Sequence, residues 1–280
     1  MAPKQRASAS PARRRSTRSK SPAAARAAPA AKGAKPSSKT WSGLQPWTGE
    51  EDYYCLGRPK PLFRGQLHLY SALLSPVWSG FQLSLCHTAQ EVVAVILACI
   101  GATAMLGLSG RFHTFKWQNE REEYFAGLLD YCGIYLQIAF SGTPLYVLLL
   151  PSPLNWCFVG AMAACALAGI FVTFSPAITL SRHTGTYIYC LMGTIGGLPL
   201  FTAAAGESVW SQLIQTERHL LVLLAASYLV GSQIYNNKVP KLWEHVFGFN
   251  ELWHLLVVVG SACSYATNCS LLMRRAGIAA

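Results

Sequence analysis

Acidic residues are missing altogether from the first 49 positions, which hold eleven lysines and arginines between Lys4 and Lys39. Charge is scarce overall: 12% of the 280 residues are charged, against about 25% in a typical soluble domain. Residues 50–280 carry twelve basic and twelve acidic side chains, so the whole +11 net charge belongs to the leading segment. Such a basic segment suits nucleic acid when read alone. It precedes a neutral body in a chain that is 52% hydrophobic, with mean hydropathy +0.28, so no nucleic-acid partner is expected.

Cys-x-x-Cys pairs are also missing. Most of the nine cysteines lie in apolar runs, where a thiol is a small hydrophobe, and a disulfide framework is not expected. No apolar stretch follows the early basic residues, so no secretory signal is expected. The acid-free, Arg- and Ser-rich composition also fits a mitochondrial transit peptide, but Pro3, Pro11, Pro22, Pro29 and Pro36 would break its amphipathic helix repeatedly. Residues 1–57 are therefore read as a disordered, basic, Pro/Ala/Ser-rich cytosolic tail beside anionic lipid headgroups. Residues 58–275 form the membrane domain.

What is abundant is apolar sequence in long runs. Crossing a bilayer takes roughly 20 mostly apolar residues in a helix. Seven stretches qualify, near 67–86, 90–110, 126–150, 154–174, 185–205, 218–236 and 250–272. The fold class is therefore an all-α, multi-pass integral membrane protein with seven transmembrane helices. Orientation follows from the basic residues of the loops. Arg58, Lys60 and Arg64, then Arg111, Lys116 and Arg121, then Arg182, then Lys238 and Lys241 all fall on the side of the basic tail. The opposite connectors near 87–89, 151–153 and 206–217 hold no Lys or Arg. Arg218, Arg274 and Arg275 run against the pattern, which otherwise puts the N-terminus in the cytosol and the C-terminus outside it.

Ionisable residues within spans are costly in lipid and point to function. The second span ends Ser109-Gly110-Arg111-Phe112-His113, with Ser109 and His113 on one helix face. The third opens Leu129-Asp130-Tyr131-Cys132-Gly133-Ile134, with Asp130 about one turn inside. The seventh opens with Asn250 and His254 four apart, and His68 opens the first. Alternating span directions place all five of His68, His113, Asp130, Asn250 and His254 at the cytosolic membrane face. Two histidines and a carboxylate from separate helices at one depth suit Zn²⁺. Taken singly, each has a plainer reading, as an interfacial histidine or a buried hydrogen-bonding aspartate. Glu91 and Glu251, at span ends, are expected to face headgroups.

These motifs resemble the hemolysin III / progestin–adipoQ receptor family. The likeness lies in the seven spans, the Ser109/His113 pair, Leu129-Asp130-Tyr131-Cys132-Gly133-Ile134 and Ser141-Gly142-Thr143-Pro144. It also takes in the Arg58–His68 stretch and Phe247–His254, and it covers about residues 58–272. The resemblance implies a metal held by the second-span histidine and two seventh-span histidines, with the third-span aspartate nearby through a water. Carried over, His113 and His254 are zinc ligands and Asp130 is the water-side acid, while Asn250 stands where the family has its other histidine. A neutral amide oxygen is a much poorer zinc ligand than imidazole. Direct ligation by Asp130, or a contribution from His68, would compensate.

The resemblance implies a signalling receptor-like protein for a lipid or hormone, in the plasma membrane or an endomembrane rather than a mitochondrial one. A second expectation is a zinc-dependent lipid amide hydrolase similar to alkaline ceramidases, with Asp130 as proton acceptor and Ser109 as hydrogen-bond donor. A pore or transporter ranks last, because such proteins put ionisable groups near the bilayer midplane.

Overall fold

A computed structural model describes residues 60–278 apart from 179, 202, 205, 206 and 244, all within the unit Thr40–Ala280. The basic 1–57 tail lies outside the described residues. The helices are α1 (Gln66–Ser84), α2 (Ala89–Thr114), α3 (Glu120–Phe140), α4 (Thr143–Leu149), α5 (Leu154–Phe174), α6 (Arg182–Gly197), α7 (Val209–Gln212), α8 (Gln215–Asn237) and α9 (Phe249–Arg275). A 3₁₀ turn at Leu198–Phe201 and a two-residue antiparallel pairing, Ala203 with Ser208 and Ala204 with Glu207, join α6 to α7.

Local chemistry sets the helix starts. Asn119 caps α3 by accepting a hydrogen bond from Glu122 N at 2.9 Å, and Glu120, Glu122 and Glu123 place negative charge at the positive end of the helix dipole. The polar first turns therefore remain helical, and Asp130 sits nearly three turns into α3 rather than one. At α2, Thr88 and Glu91 form a reciprocal capping box, with Glu91 accepting from Thr88 N and His87 N. Glu91 is 3% exposed. The expectation that it faces headgroups is thus overturned: its carboxylate is consumed by backbone donors that the helix leaves without partners.

Two prolines interrupt helices, and each is matched by the hydroxyl before it. Pro76 leaves the Ala72 carbonyl without its amide donor, and Ser75 Oγ donates to that carbonyl at 2.7 Å. Pro144 likewise frees the Phe140 carbonyl, to which Thr143 Oγ1 donates at 2.8 Å. The chain breaks there into α3 and α4. The turn carbonyl of Ser141 accepts from Ser264 Oγ at 3.1 Å and Asn268 Nδ2 at 2.9 Å, both on α9. The expected span 126–150 is thus two helices, pinned to the last one at mid-depth. The expected span 185–205 is also shorter, because Gly196, Gly197 and Pro199 turn the chain out of α6.

α2 lies between α1 and α3, α5 packs outside α3, and α6, α8 and α9 complete the circuit back to α1. At Gly101 and Gly133 the α2 and α3 backbones approach so closely that an added Cβ would stand 2.8 Å from the facing helix. Apolar side chains point outward from several helices, among them Leu73 and Val77 of α1, Leu167 and Phe171 of α5, and Val222 and Leu229 of α8. Polar groups collect inside instead. Glu217 is fully buried, paired with Arg274 at 3.0 Å and accepting from Ser270 Oγ at 2.8 Å, while Arg275 approaches Glu91 at 3.7 Å. Four segments among the described residues are long and apolar enough to cross a membrane: Ala89–Thr114, Glu120–Leu149, Leu154–Phe174 and Phe249–Arg275.

Thr143→Val keeps the shape of a fully buried side chain but strands the Phe140 carbonyl. It is expected to cost about 1–3 kcal/mol, read as a lowered unfolding midpoint in detergent, whereas Thr143→Ser stays close to wild type.

Candidate metal centre

The last turn of α2 and the first turns of α1 and α9 meet at one end of the bundle. Glycine makes this possible. Gly65 takes a left-handed φ of 73° at the start of α1, and a Cβ there would collide with that of His113. At Gly110 a Cβ would fall 2.7 Å from the backbone of Leu69. The close approach sets His68 beside the end of α2.

Three imidazoles are contiguous here. The rings of His68 and His254 stack with centroids 4.2 Å apart, and those of His113 and His254 lie 4.7 Å apart. His113 Nε2 is 3.6 Å from Asp130 Oδ2. His68, Ser109, His113, Asp130, Asn250 and His254 all line one cavity. The structure thus brings together every residue expected at the site, although Asp130 joins from well inside α3. His68, His113, Asn250, His254 and Ser109 are each at most 5% exposed.

Hydrogen bonding at this site is conspicuously incomplete. Nδ1 of His113, Nδ1 of His254, Oδ1 of Asn250 and both ring nitrogens of His68 are buried without a hydrogen-bond partner. A buried polar group left in this way costs on the order of 1–3 kcal/mol. Unpaired imidazole nitrogens beside a carboxylate match zinc in chemical kind. As the side chains stand, no three His, Cys, Asp or Glu among the described residues already converge to hold one ion. The donor set fits the metal, and rotation of the stacked rings is what ligation would require.

The segment before α1, whose Lys60 and Arg64 were counted only as loop charges, braces the cluster. Lys60 Nζ donates to the carbonyls of His113 at 3.1 Å and Phe115 at 2.6 Å, putting a cation at the negative end of α2. Leu62 N and Phe63 N donate to His245 O and Val246 O, just before α9. Arg64 then forms an ion pair with Glu251, whose other oxygen accepts from Gly248 N at 2.7 Å. Glu251 is 1% exposed, so it too departs from the expected headgroup position. An arginine four residues before His68 offers a partner that burial of a carboxylate demands.

The cavity has a volume of about 510 Å³ and is mostly apolar. From Asp130 it follows α3 to Ser141, about 16 Å at 1.5 Å per residue, and continues to Leu198, Phe201 and Trp210.

A family model described as Haemolysin-III related matches residues 56–265. The chain belongs to the haemolysin III-related family. It is 27% identical over 180 residues to heptahelical transmembrane protein ADIPOR1 of Oryza sativa subsp. japonica, covering 59% of this chain and 46% of that one. The adiponectin receptor protein of Drosophila melanogaster is 25% identical over 187 residues, 63% of this chain and 42% of that one. Hemolysin-3 of Bacillus cereus is 27% identical over 179 residues, 64% of this chain and 74% of that one. The matches thus span less than half the length of the first two relatives. With its apolar helices, this member of the haemolysin III-related family is an integral membrane protein.

Glu251→Ala leaves Arg64 buried without its carboxylate and is expected to destabilise this haemolysin III-related domain by about 3–5 kcal/mol. Replacing both residues by methionine is expected to restore most of that loss. Thermal unfolding of the single and double variants in detergent provides the check.

Proposed function

We propose that this protein is a seven-span, receptor-like member of the family, with Zn²⁺ at the cytosolic ends of α2, α3 and α9 and a lipid or hormone ligand in the adjoining cavity. The observation that carries this reading is the long apolar cavity, which ends on a cluster of buried, unpaired imidazoles and a carboxylate. Its shape suits an extended aliphatic chain whose polar group lies against the cluster. The printed names of the plant and fly relatives point the same way. His113 and His254 would hold the metal, with Asp130 beside them and Asn250 next to the set.

The orientation, with the N-terminus cytosolic and the C-terminus outside, is supported by the lysines and arginines of the loops, while the three opposing arginines have partners within the protein. Arg274 is paired with Glu217, Arg275 lies near Glu91, and Arg218 donates to the carbonyls of Trp210 and Ser211 at 3.1 Å. The outward apolar faces of α1, α6 and α8 would supply the three spans beyond the four segments that are long and apolar enough to cross a membrane.

A second reading, a lipid amide hydrolase, draws on Ser109 and Asp130 lining the same end of the cavity as the imidazoles. Bound zinc supplies acidity to a coordinated water. In this reading Asp130 would accept a proton and the buried Ser109 hydroxyl would donate to the ligand's polar group.

Purified protein in nanodiscs is expected to bind a fluorescent long-chain lipid stoichiometrically without consuming it. Gly193→Phe is expected to weaken that binding about tenfold, because Gly193 lines the cavity and a Cβ added there would meet no atom within 4 Å. Fatty acid released from ceramide, and lost in Asp130→Ala, would favour the hydrolase; unaltered binding in Gly193→Phe would remove the cavity from the account.

The topology has its own check. Protease added to sealed cells is expected to cut after Met273 and to spare the basic tail, and cleavage of the tail from outside would reverse the orientation.

A further inference from the structure

Neither the receptor nor the hydrolase reading gives His68 a defined place in the cluster. His68 is 2% exposed, at the start of α1, and both of its ring nitrogens are buried without a hydrogen-bond partner. A neutral imidazole carries one N–H donor and one lone pair, so burial in this form leaves two unmet groups on one side chain. Core histidines normally answer at least one of them, because a buried polar atom without a partner is costly.

Its neighbours share the deficit. The His68 ring stacks on His254, and His254 in turn adjoins His113, whose Nε2 faces Asp130. Across the three rings, four nitrogens lack partners: two on His68, Nδ1 of His113 and Nδ1 of His254. Each neutral imidazole has one lone pair to offer, and turning the stacked rings of His68 and His254 is what would bring these lone pairs onto one ion, since no three donors converge as the side chains stand. The nearby cations do not fill the role of that ion: Arg64 is held by Glu251, and Lys60 by the two carbonyls at the end of α2.

We propose that His68 is the third imidazole ligand of the zinc site, so that α1 supplies the donor that Asn250 fails to supply on α9. This rests on the metal reading given above and extends its ligand set from His113 and His254 to His68, His113 and His254, with Asp130 alongside. An amide oxygen is a weak donor to zinc and imidazole a strong one. The backbone is already arranged for the exchange. The left-handed Gly65 and the contact of Gly110 with Leu69 bring the start of α1 against the end of α2, and the Arg64–Glu251 pair fixes that segment to the start of α9. Asn250 then has a bystander role, on the same face as His254 but beside a set completed from another helix.

The test uses the full chain, purified with a histidine-free tag, loaded with zinc and dialysed against metal-free buffer. Wild type is expected to retain about one zinc per chain by elemental analysis. Asn250→Ala is expected to retain a similar amount, His68→Ala about a tenth or less, and His68→Ala combined with Asn250→His to regain most of it. Zinc lost in His254→Ala but kept in His68→Ala overturns this assignment and leaves the metal reading standing. Wild type without zinc overturns both. Should His68→Ala fail to fold, X-ray absorption at the zinc edge of wild type decides the matter: scattering from three imidazoles supports the assignment, and scattering from two overturns it.

Discussion

Inside a bilayer a backbone carbonyl that loses its amide donor has no water to turn to, and neither does a buried carboxylate or imidazole. This constraint accounts for where the polar side chains of the protein stand. Ser75 and Thr143 precede prolines and answer the carbonyls those prolines release. Glu91, Glu217 and Glu251 each accept from the backbone at a helix start, and each has an arginine beside it. The same device thus recurs at the beginnings of α2, α8 and α9. It lets carboxylates lie at the margins of the apolar region without remaining as isolated charges.

Against that background, most of the buried side-chain atoms without a partner among the described residues belong to the histidine cluster and Asn250, the others being Gln137 Oε1 and Ser227 Oγ. Beside the cluster, Lys60 answers the carbonyl of His113 itself. The rings of His68 and His254 lie 4.2 Å apart and those of His113 and His254 4.7 Å apart. On the metal reading proposed above, a bound cation would complete this arrangement. The apolar cavity opens onto the same end of the molecule.

Much of this was legible in the sequence because hydropathy and i, i+4 spacing are one-dimensional. The apolar runs located the long helices, and Ser109/His113 and Asn250/His254 each fell on one face as the spacing requires. Helix starts were less visible. The polar opening turns of α3 carry Glu120, Glu122 and Glu123, which a hydropathy window discards but an N-cap and a helix dipole favour. Glu91 and Glu251 were misplaced for a related reason: a glutamate at a span end reads as solvent-facing until its capping partners are known. The Arg64–Glu251 pair joins residues 187 positions apart, and no local pattern announces a contact of that separation.

α9 is fastened at both ends. Glu251 in its first turn is held by Arg64 ahead of α1, and Arg274 in its last turn is held by Glu217 at the start of α8. A slide of this helix along its own axis by one turn, about 5.4 Å, would sever both fastenings together. Rocking about its middle, where Ser264 and Asn268 grip the Ser141 turn, would strain them far less. Fastening at both ends, with a third grip at the Ser141 turn, therefore opposes a piston stroke of α9 and fixes the depth at which His254 stands.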